Sequence, residues 1–417
     1  MKIAYLMQAG VPDVRKHPLS GPANHVRQVF KELEYLGHQV RLLAMLDGQI
    51  WKSDNLEDYE PVSVRWLDKG PFKLFEKVVR SVQYKFQLPY ASFFESMRFA
   101  LACRQVLAGY DLLYERMGWV GYGGSLAARW LSVPLVIEVN GDHLDELESL
   151  GIAPKGMQRR LSVSLMNKVA VNWSSHVVTT GDGWRDRFIK RWGVDDSKVE
   201  TVENGSELVK LLNREQLRAF QVDEEANGVT TVAYIGGFHP WQGVTVLIRA
   251  FAQALGRGAQ ARLLLIGSGP TLSELEQLIH ELNIGEHVTF TGRLAIHELP
   301  SYLTKTDIGV SPYCGRVEFS GLKLLDYKAA GLTTIASGQN GQPAILEHGK
   351  TGWIVPPCDE HALCEAIVRL STDVQLRKQI GQAARIEAEQ LHGWHHTAKQ
   401  LHHLFHKVTA KDSLKNQ

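Results

Sequence analysis

The sequence has few cysteines. Its 417 residues include four, at positions 103, 314, 358 and 364, and none of them belongs to a Cys-x-x-Cys pair. Four thiols with this spacing are too sparse for a disulfide framework, and they are typical of a reducing compartment. We therefore expect a cytoplasmic protein that has no disulfide framework.

The sequence also lacks an excess of charge of either sign. Lys and Arg total 46, Asp and Glu total 45, and the formal net charge is +1. A nucleic-acid-binding protein normally has an overall basic bias. We therefore expect no nucleic-acid partner.

Long hydrophobic runs are missing as well. No stretch of about 18 apolar residues is present that could form a membrane-spanning helix. The first ten residues, MKIAYLMQAG, have too few apolar residues for a signal-peptide core and are better interpreted as a buried strand. With 44% hydrophobic and 22% charged residues, the composition is that of an ordinary globular protein.

What the sequence does contain is a regular alternation of short apolar segments and helical patterns. The segments KIAYLM, ANHVRQVFKELEYLG and HQVRLLAM predict a strand, a helix that ends at glycine, and a second strand. The alternation restarts after the polar residues 223–228 with the strand TTVAYIGG. The sequence thus predicts an α/β protein with two doubly wound parallel sheets, which bind ligands at the carboxyl ends of their strands.

Two glycine-containing loops precede predicted helices. YIGGFHPWQG, residues 234–243, follows a strand, and EFSGLKLLD, residues 318–326, begins a helix near Ser320, Gly321 and Leu322. Backbone amides at such helix starts can hold an anion. Carboxylates such as Glu318 and Asp326 suit sugar hydroxyls, although they could equally be a helix cap and a helix acid favoured by the helix dipole.

The segment EFSGLKLLD resembles the signature of the family-four retaining glycosyltransferases, in which a Glu is followed after seven residues by a second Glu. Asp326 takes the place of that second Glu. Three further segments resemble the same family in the same order, namely GPANHVRQVFKELEYLGHQV, VENGSEL and EHGKTGWIVPPCDEHALCEAI.

The resemblance implies the GT-B fold, with two Rossmann-like domains. Residues 1–205 would form the acceptor domain, together with a crossover helix at 396–417, and residues 206–395 the nucleotide-sugar donor domain. The implied activity is the transfer of a sugar, with retention, from a nucleotide sugar to a glycan, a lipid-linked acceptor or a small molecule. Neither a metal nor another cofactor is expected.

The resemblance also implies roles for individual residues. Glu318 would contact the donor sugar, Asp326 the ribose, and the amides of Gly321 and Leu322 the diphosphate. Asn140 and His143 would complete the catalytic group on the acceptor side. The remaining residues expected to bind or border the donor are Gly21, Gly236, Gly237, Gln242, Gly292, Arg293, Leu294, Ser320 and Lys323.

Two departures from the family concern the diphosphate. Gly237 and Gln242 stand where the family has an Arg and a Lys, so Lys323 is left as the nearby cation. Losing one donor to a developing oxyanion costs about 3 kcal/mol. The alternative function is therefore a GT-B protein with weakened or lost catalysis that serves as a binding or partner subunit. If the cations are simply missing, Gly237→Arg with Gln242→Lys should tighten nucleotide binding.

A third departure lies on the acceptor side. Asn140 replaces a His that is frequent in the family. A front-face retaining mechanism tolerates this change, because the leaving phosphate itself accepts the proton. His143 is expected to contact the acceptor, or else to be an exposed loop residue. A hydrolysing sugar-nucleotide epimerase of similar architecture would explain the fold but not the Glu318 to Asp326 element.

Two further segments leave alternatives open. Residues 69–99 mix aromatic and basic residues at helical spacing. They could contact an anionic membrane, at its inner face, or a lipid-linked acceptor, or they could form a core helix with a solvated basic face. His402 and His406 would share one helix face, but without carboxylate or Cys partners a metal site is not expected.

Overall fold

The computed structural model describes residues 1–8, 12–64, 67, 70–86, 88, 91–141, 143–149, 151–212, 228–314, 321–341 and 343–415. The chain forms two compact units. The first comprises Met1–Lys16, Pro22–Glu203 and Ala398–Gln417, and the second comprises His17–Gly21 and Asn204–Thr397.

The first unit is built on a sheet of eight strands among the described residues. They are β1 (Lys2–Met7), β2 (Gln39–Leu46), β3 (Gln49–Ser53), β4 (Glu60–Val62), β5 (Leu112–Arg116), β6 (Leu135–Val139), β7 (His176–Thr179) and β8 (Val199–Thr201). Their order is β4-β3-β2-β1-β5-β6-β7-β8. The pairs that β3 makes with β2 and β4 are antiparallel, and the other pairs are parallel.

Helices connect and cover these strands. They are α1 (Gly21–Tyr35), α2 (Pro71–Lys85), α3 (Phe93–Val106), α4 (Gly123–Leu131), α5 (His143–Ser149), α6 (Gly156–Asn167) and α7 (Asp182–Trp192), with a π-helical turn at Lys168–Trp173. The first of them shows why the helical pattern predicted it: Val26, Val29, Phe30 and Leu33 recur at helical spacing and are all buried.

The described part of the second unit contains a fully parallel sheet. Its strands are β9 (Thr230–Ile235), β10 (Ala261–Ile266), β11 (Val288–Gly292), β12 (Ile308–Ser311), β13 (Thr333–Ser337) and β14 (Trp353–Val355), in the order β11-β10-β9-β12-β13-β14. The helices that follow α7 are α8 (Leu208–Leu211), α9 (Val244–Gly256), α10 (Leu272–Glu281), α11 (Leu299–Leu303), α12 (Leu322–Ala329), α13 (Glu360–Thr372), α14 (Val374–Leu391) and α15 (Trp394–Lys415). The predicted α/β class, with two Rossmann-like units, is confirmed.

Tyr327 fastens α12 to this sheet. Its hydroxyl accepts a hydrogen bond from the N–H of Ile235 at 2.8 Å and donates to the carbonyl of Val310 at 3.2 Å, so one side chain joins the ends of β9 and β12. The fully buried ring lies against Gly309, where a Cβ would approach a ring carbon to 2.4 Å. Position 309 therefore requires glycine because the ring passes directly over the backbone.

The expectation for the cysteines is wrong at one pair. Cys314 and Cys358 form a disulfide, with their Cα atoms 4.8 Å apart, within the range that a disulfide requires. Cys314 follows β12 and Cys358 follows β14, so two carboxyl-end loops meet although 44 residues separate the two cysteines. Cys103 and Cys364 are buried free thiols.

The helices can also be compared with the thickness of a bilayer. Within the described residues, no helix is both long enough and apolar enough to cross a membrane.

Candidate functional site

The loop after β9 starts with two glycines at the carboxyl end of the strand. Gly236 has φ 151°, a conformation that favours glycine, and a Cβ there would lie 2.8 Å from the Tyr234 hydroxyl. The loop ends at Gly243, with φ 70°, where α9 begins. The structure confirms the predicted order of a strand, a glycine-containing loop and a helix at residues 230–256.

Gln242 binds Lys323 in this loop. Its Oε1 accepts a hydrogen bond from the Lys323 ammonium at 2.5 Å and lies 3.0 Å from the Tyr234 hydroxyl, while its Nε2 donates to the Tyr313 hydroxyl at 3.0 Å. The ammonium also lies 4.6 Å from the ring centre of Tyr234 and 5.0 Å from that of Tyr313. Gln242, which stands at one of the two positions where the family has a cation, therefore holds the ammonium of Lys323.

The start of α12 carries the next group of predicted residues. Gly321 precedes the helix with φ 56°, and Leu322 is its first residue, so its backbone N–H lacks a partner within the helix. Lys323 follows directly and points to Gln242. Glu318 and Ser320 lie outside the described residues, and their expected roles stay predictions.

Asp326 lies one turn further along α12 and is half-buried. Its Oδ1 accepts a hydrogen bond from the Ser206 hydroxyl at 2.6 Å. Burial, together with a smaller contribution from the charge of Glu207, raises the pKa of Asp326 to about 7, although the hydrogen bond from Ser206 acts in the opposite direction. The carboxyl group can therefore change its charge near neutral pH. Its expected role is to accept hydrogen bonds from the ribose hydroxyls, and the ionised form is the stronger acceptor.

The other predicted donor residues lie on separate elements. Gly21 is the first residue of α1 and groups with the second unit. Gly292 ends β11 with φ 72°. Arg293 is exposed, and Leu294 packs on the hydrophobic cluster that includes Tyr327. Their contacts with a nucleotide stay predictions.

On the first unit, Asn140 directly follows β6 and is oriented by a buried carboxylate. Asn140 Nδ2 donates to Glu138 Oε1 at 2.7 Å, and the Tyr5 hydroxyl donates to Glu138 Oε2 at 2.7 Å. His25 forms an ion pair with Glu138, and Arg116 lies 3.6 Å away. Burial alone would raise the pKa of Glu138, but its pairing with His25 and Arg116 holds it at about 2.

This arrangement fixes the direction of the Asn140 amide. Because its Nδ2 donates to Glu138, its Oδ1 is oriented away from that bond and can accept a hydrogen bond from a hydroxyl group. His143 begins α5, and its Nε2 bonds the main-chain carbonyl of Met117 at 2.8 Å. Asp142, between these two residues, lies outside the described part of the chain.

In each unit, residues of the candidate groups were missed from the sequence. Tyr234 and Tyr313 surround Lys323, and Glu138 orients Asn140. The signal for Glu138 was a charged residue inside the apolar strand LVIEV, since such a residue is rarely buried unless it is paired. Nothing in the sequence indicated that Tyr313 would reach Lys323.

The histidine-rich α15 gives no metal site among the described residues, where no group of three or more His, Cys, Asp or Glu side chains could hold an ion. His402 instead bonds His38 through ring nitrogens 2.8 Å apart, and His406 lies beside both rings. The wider expectation that activity needs no metal stays a prediction.

Two family models match the chain. The model described as "Glycosyl transferase 4-like domain" matches residues 20–205, and the model described as "Glycosyl transferases group 1" matches residues 215–387. The chain belongs to the family-four glycosyltransferases, which have the GT-B fold. The resemblance to this family that the sequence indicated is thus confirmed. The alternative of a GT-B protein that serves as a non-catalytic subunit is not favoured, because the matching models describe glycosyl transferases.

The relatives of this chain differ in how much of it they match. The GDP-mannose-dependent alpha-(1-6)-phosphatidylinositol monomannoside mannosyltransferase of Mycobacterium tuberculosis is 32% identical over 160 residues, which are 37% of this chain and 42% of that protein. The chain thus aligns with less than half of that relative. D-inositol 3-phosphate glycosyltransferase of Nocardioides sp. is 25% identical over 381 residues, 85% of this chain and 78% of that protein.

A solved structure of the same fold covers nearly the whole chain. The crystal structure of Anabaena HepE in complex with UDP and glucose superposes with a TM-score of 0.68 and 19% identity, over 98% of this chain and all of HepE. At this identity the match supports the shared fold.

Proposed function

We propose that the protein transfers a sugar from a nucleotide sugar to a hydroxyl of a glycan, a lipid-linked acceptor or a small molecule, with retention and without a metal. The observation that carries the proposal is the joint position of the Gly236–Gly237 loop, the start of α12 and Lys323 in the second unit. A glycine loop, helix amides and a cation are what a diphosphate requires.

In this mechanism the bond from the anomeric carbon to the donor phosphate breaks while the acceptor oxygen attacks the same face. The acceptor proton passes to the leaving phosphate oxygen, so no separate protein base is needed. Lys323 and the amides of Gly321 and Leu322 stabilise the charge that develops on the diphosphate. Asn140 orients the acceptor hydroxyl through its Oδ1, and Glu318 holds the donor sugar.

The donor class is supported by the relatives. One is named GDP-mannose-dependent, and UDP and glucose are bound in HepE. Both GDP-mannose and UDP-glucose are nucleotide sugars, and they are therefore the two probes to use first.

The test is calorimetric titration of both probes, followed by turnover with D-inositol 3-phosphate and with phosphatidylinositol vesicles as trial acceptors. We expect selective binding of one donor, a product with the donor's anomeric configuration by NMR, and activity that persists in EDTA. Glu318→Ala should abolish turnover, whereas Glu281→Ala, at an exposed position of α10, should not. Absence of binding would refute the transferase, inversion would refute retention, and loss in EDTA would refute metal independence.

We also propose that α2 contacts an anionic membrane surface. Among the described side chains of α2, Glu76 is the one that is buried. It forms ion pairs with Arg80 of the same helix and with Arg98 of α3. The inner side of the helix is thus held by ion pairs and by the contacts of Phe72 and Phe75 with Phe94, whereas most of its other described side chains are exposed. This exposure favours a surface role for α2 over a core helix. Its outer side exposes apolar and basic residues together, namely Leu74, Phe75, Val78, Val82 and Tyr84 with Lys73, Lys77 and Lys85.

An apolar face flanked by lysines suits acyl chains and anionic headgroups, to which each lysine contributes about 1 kcal/mol. We expect the protein to sediment with vesicles of phosphatidylcholine and phosphatidylserine, and less with phosphatidylcholine alone. Leu74→Ser with Val78→Ser should weaken this binding, and Ser81→Ala on the same helix should not. Equal binding of the Leu74→Ser, Val78→Ser variant, or a dimer that covers the face instead, would contradict the proposal.

A further inference from the structure

The loop after β9 places a histidine where the family has an arginine side chain. A Cβ built on Gly237 would lie 2.9 Å from Cδ2 and 3.2 Å from Nε2 of His239. The imidazole of His239 therefore fills the space in which a side chain at position 237 would begin. An arginine and this histidine could not both occupy that space without displacement.

A second basic group lies beside the neighbouring glycine. A Cβ built on Gly236 would lie 3.3 Å from Nζ of Lys323. Two consecutive glycines at the end of β9 are thus each flanked by one basic side chain, an imidazole at 237 and an ammonium at 236. Because neither glycine has a side chain, a ligand can approach the backbone of this loop closely, next to the two basic groups.

The His239 ring is held in its orientation by stacking. It lies on the indole of Trp241 with ring centroids 4.6 Å apart and an angle of 9° between the planes. Its Nδ1 is buried and has no hydrogen-bond partner among the described residues. Once a ligand has brought a proton to the ring, the indole face stabilises the imidazolium, because the ring quadrupole attracts a cation.

We propose that His239 is a ligand of the donor diphosphate and gains a proton as the donor binds, so that it supplies the positive charge that Gly237 no longer provides. The inference rests on the proposed function, since it requires a nucleotide sugar in this site. It differs from the family pattern because the cation comes from a group that can be neutral in the free protein.

The electrostatic surroundings agree with a ring that is neutral until a ligand arrives. Burial lowers the pKa of His239 and is the one cause of the shift. Titratable side chains that contact this loop include Tyr234 at the end of β9, Tyr313 after β12 and Lys323 in α12, all of which lie within hydrogen-bond distance of Gln242. The start of α10, which carries Glu274, joins the loop through the hydrogen bond from the Thr271 hydroxyl to the Phe238 carbonyl. A phosphate beside the imidazole would oppose the effect of burial and favour the charged form.

The test compares donor affinity at about pH 6 and about pH 8, on either side of the range in which histidine titrates. UDP-glucose and GDP-mannose are the probes, because the diphosphate of a nucleotide sugar has no phosphate proton that titrates there. Relative to the unaltered protein, we expect His239→Gln to weaken binding about tenfold at the lower pH and less than about twofold at the higher pH.

Two further variants complete the experiment. His239→Arg should bind at the higher pH at least as tightly as the unaltered protein, because it restores a permanent charge. His280→Gln, at an exposed position of α10, should match the unaltered protein at both pH values. Calorimetry in two buffers of different ionisation enthalpy should show fewer protons taken up by His239→Gln.

The possible failures are distinguishable. If the unaltered protein binds neither probe, the proposed function falls and this inference falls with it. If a probe binds but His239→Gln binds like the unaltered protein, or is weakened equally at both pH values, the transferase stands and the role of His239 is refuted.

Discussion

The contact between Gln242 and Lys323 gives a prediction that can be worked out in detail. If Gln242 acts on the donor only by holding the ammonium, removing its side chain should matter only while Lys323 is present. The perturbation is a double-mutant cycle of Gln242→Ala and Lys323→Ala.

The structure sets the magnitudes. A hydrogen bond from an ammonium to a phosphate contributes about 1.5 to 3 kcal/mol, so Lys323→Ala should weaken donor binding roughly tenfold to a hundredfold. Gln242→Ala removes the acceptor 2.5 Å from Nζ but leaves the two tyrosine rings. Part of the rotamer entropy of lysine, about 2 kcal/mol in total, must then be lost on binding. We expect a cost of about 1 kcal/mol, or roughly fivefold in affinity.

The assay is calorimetric titration with UDP-glucose and GDP-mannose. In the Lys323→Ala background, Gln242→Ala should cost less than about 0.5 kcal/mol, the usual limit for independent sites. Gln277→Ala is the matched control, because that glutamine is exposed and bonds Glu281 within α10. If the two costs simply add, Gln242 contacts the donor directly and the reasoning is refuted.

Three further predictions concern other residues of the two units. Asp326→Asn should weaken donor binding, yet it should raise the melting temperature at about pH 8 and leave it unchanged at about pH 4. The folded-state pKa of about 7 lies above the ordinary 3.8, so ionisation of Asp326 destabilises the fold as pH rises between these two values. Equal melting temperatures of the two proteins at the higher pH would contradict this. Gly321→Ala should lower stability by about 1 to 2 kcal/mol in urea unfolding because φ is 56°, whereas Gly285→Ala, with open space around it, should be nearly neutral. Glu138→Gln should cost about 3 kcal/mol by the same assay because it breaks a buried ion pair, against less than about 1 kcal/mol for the exposed Glu60→Gln, and a similar cost for both would count against the buried network.

The sequence predicted the architecture well because parallel strands buried on both faces are continuous apolar runs. The strands β1, β2 and β9 were identified in this way. The hairpin strands β3 and β4 were missed, because QIWKS and EPV are too short to show a clear alternation of apolar and polar residues. Short edge strands carry little periodicity, and pairing rather than pattern defines them.

The candidate site was predicted where it depended on local chain geometry. Gly236 and Gly321 have positive φ at the ends of a strand and before a helix, as their loops suggested. The contacts of Gln242 with Lys323 and Tyr313 could not be read from the sequence, because they join residues 81 and 71 positions apart through tertiary packing.

The contacts of His239 and Gln242 reverse the expectation that Gly237→Arg with Gln242→Lys tightens nucleotide binding. Gly237→Arg would bring a side chain against the His239 ring, and Gln242→Lys would replace the acceptor of Lys323 with a second ammonium. Without a further change at His239, we now expect this double variant to bind nucleotide no better than the unaltered protein. The sequence alone could not show that the His239 ring lies beside Gly237 and that Gln242 binds Lys323.

The Tyr327 hydroxyl has a consequence for motion within the second unit. Because it accepts the hydrogen bond of the Ile235 amide, that amide can exchange with solvent only when the ring withdraws from the sheet. Withdrawal of the ring would also displace the helix that carries Lys323 and Asp326. The hydrogen-exchange rate of a single amide at the end of β9 therefore reports how often the candidate donor site opens, on a timescale of minutes to hours.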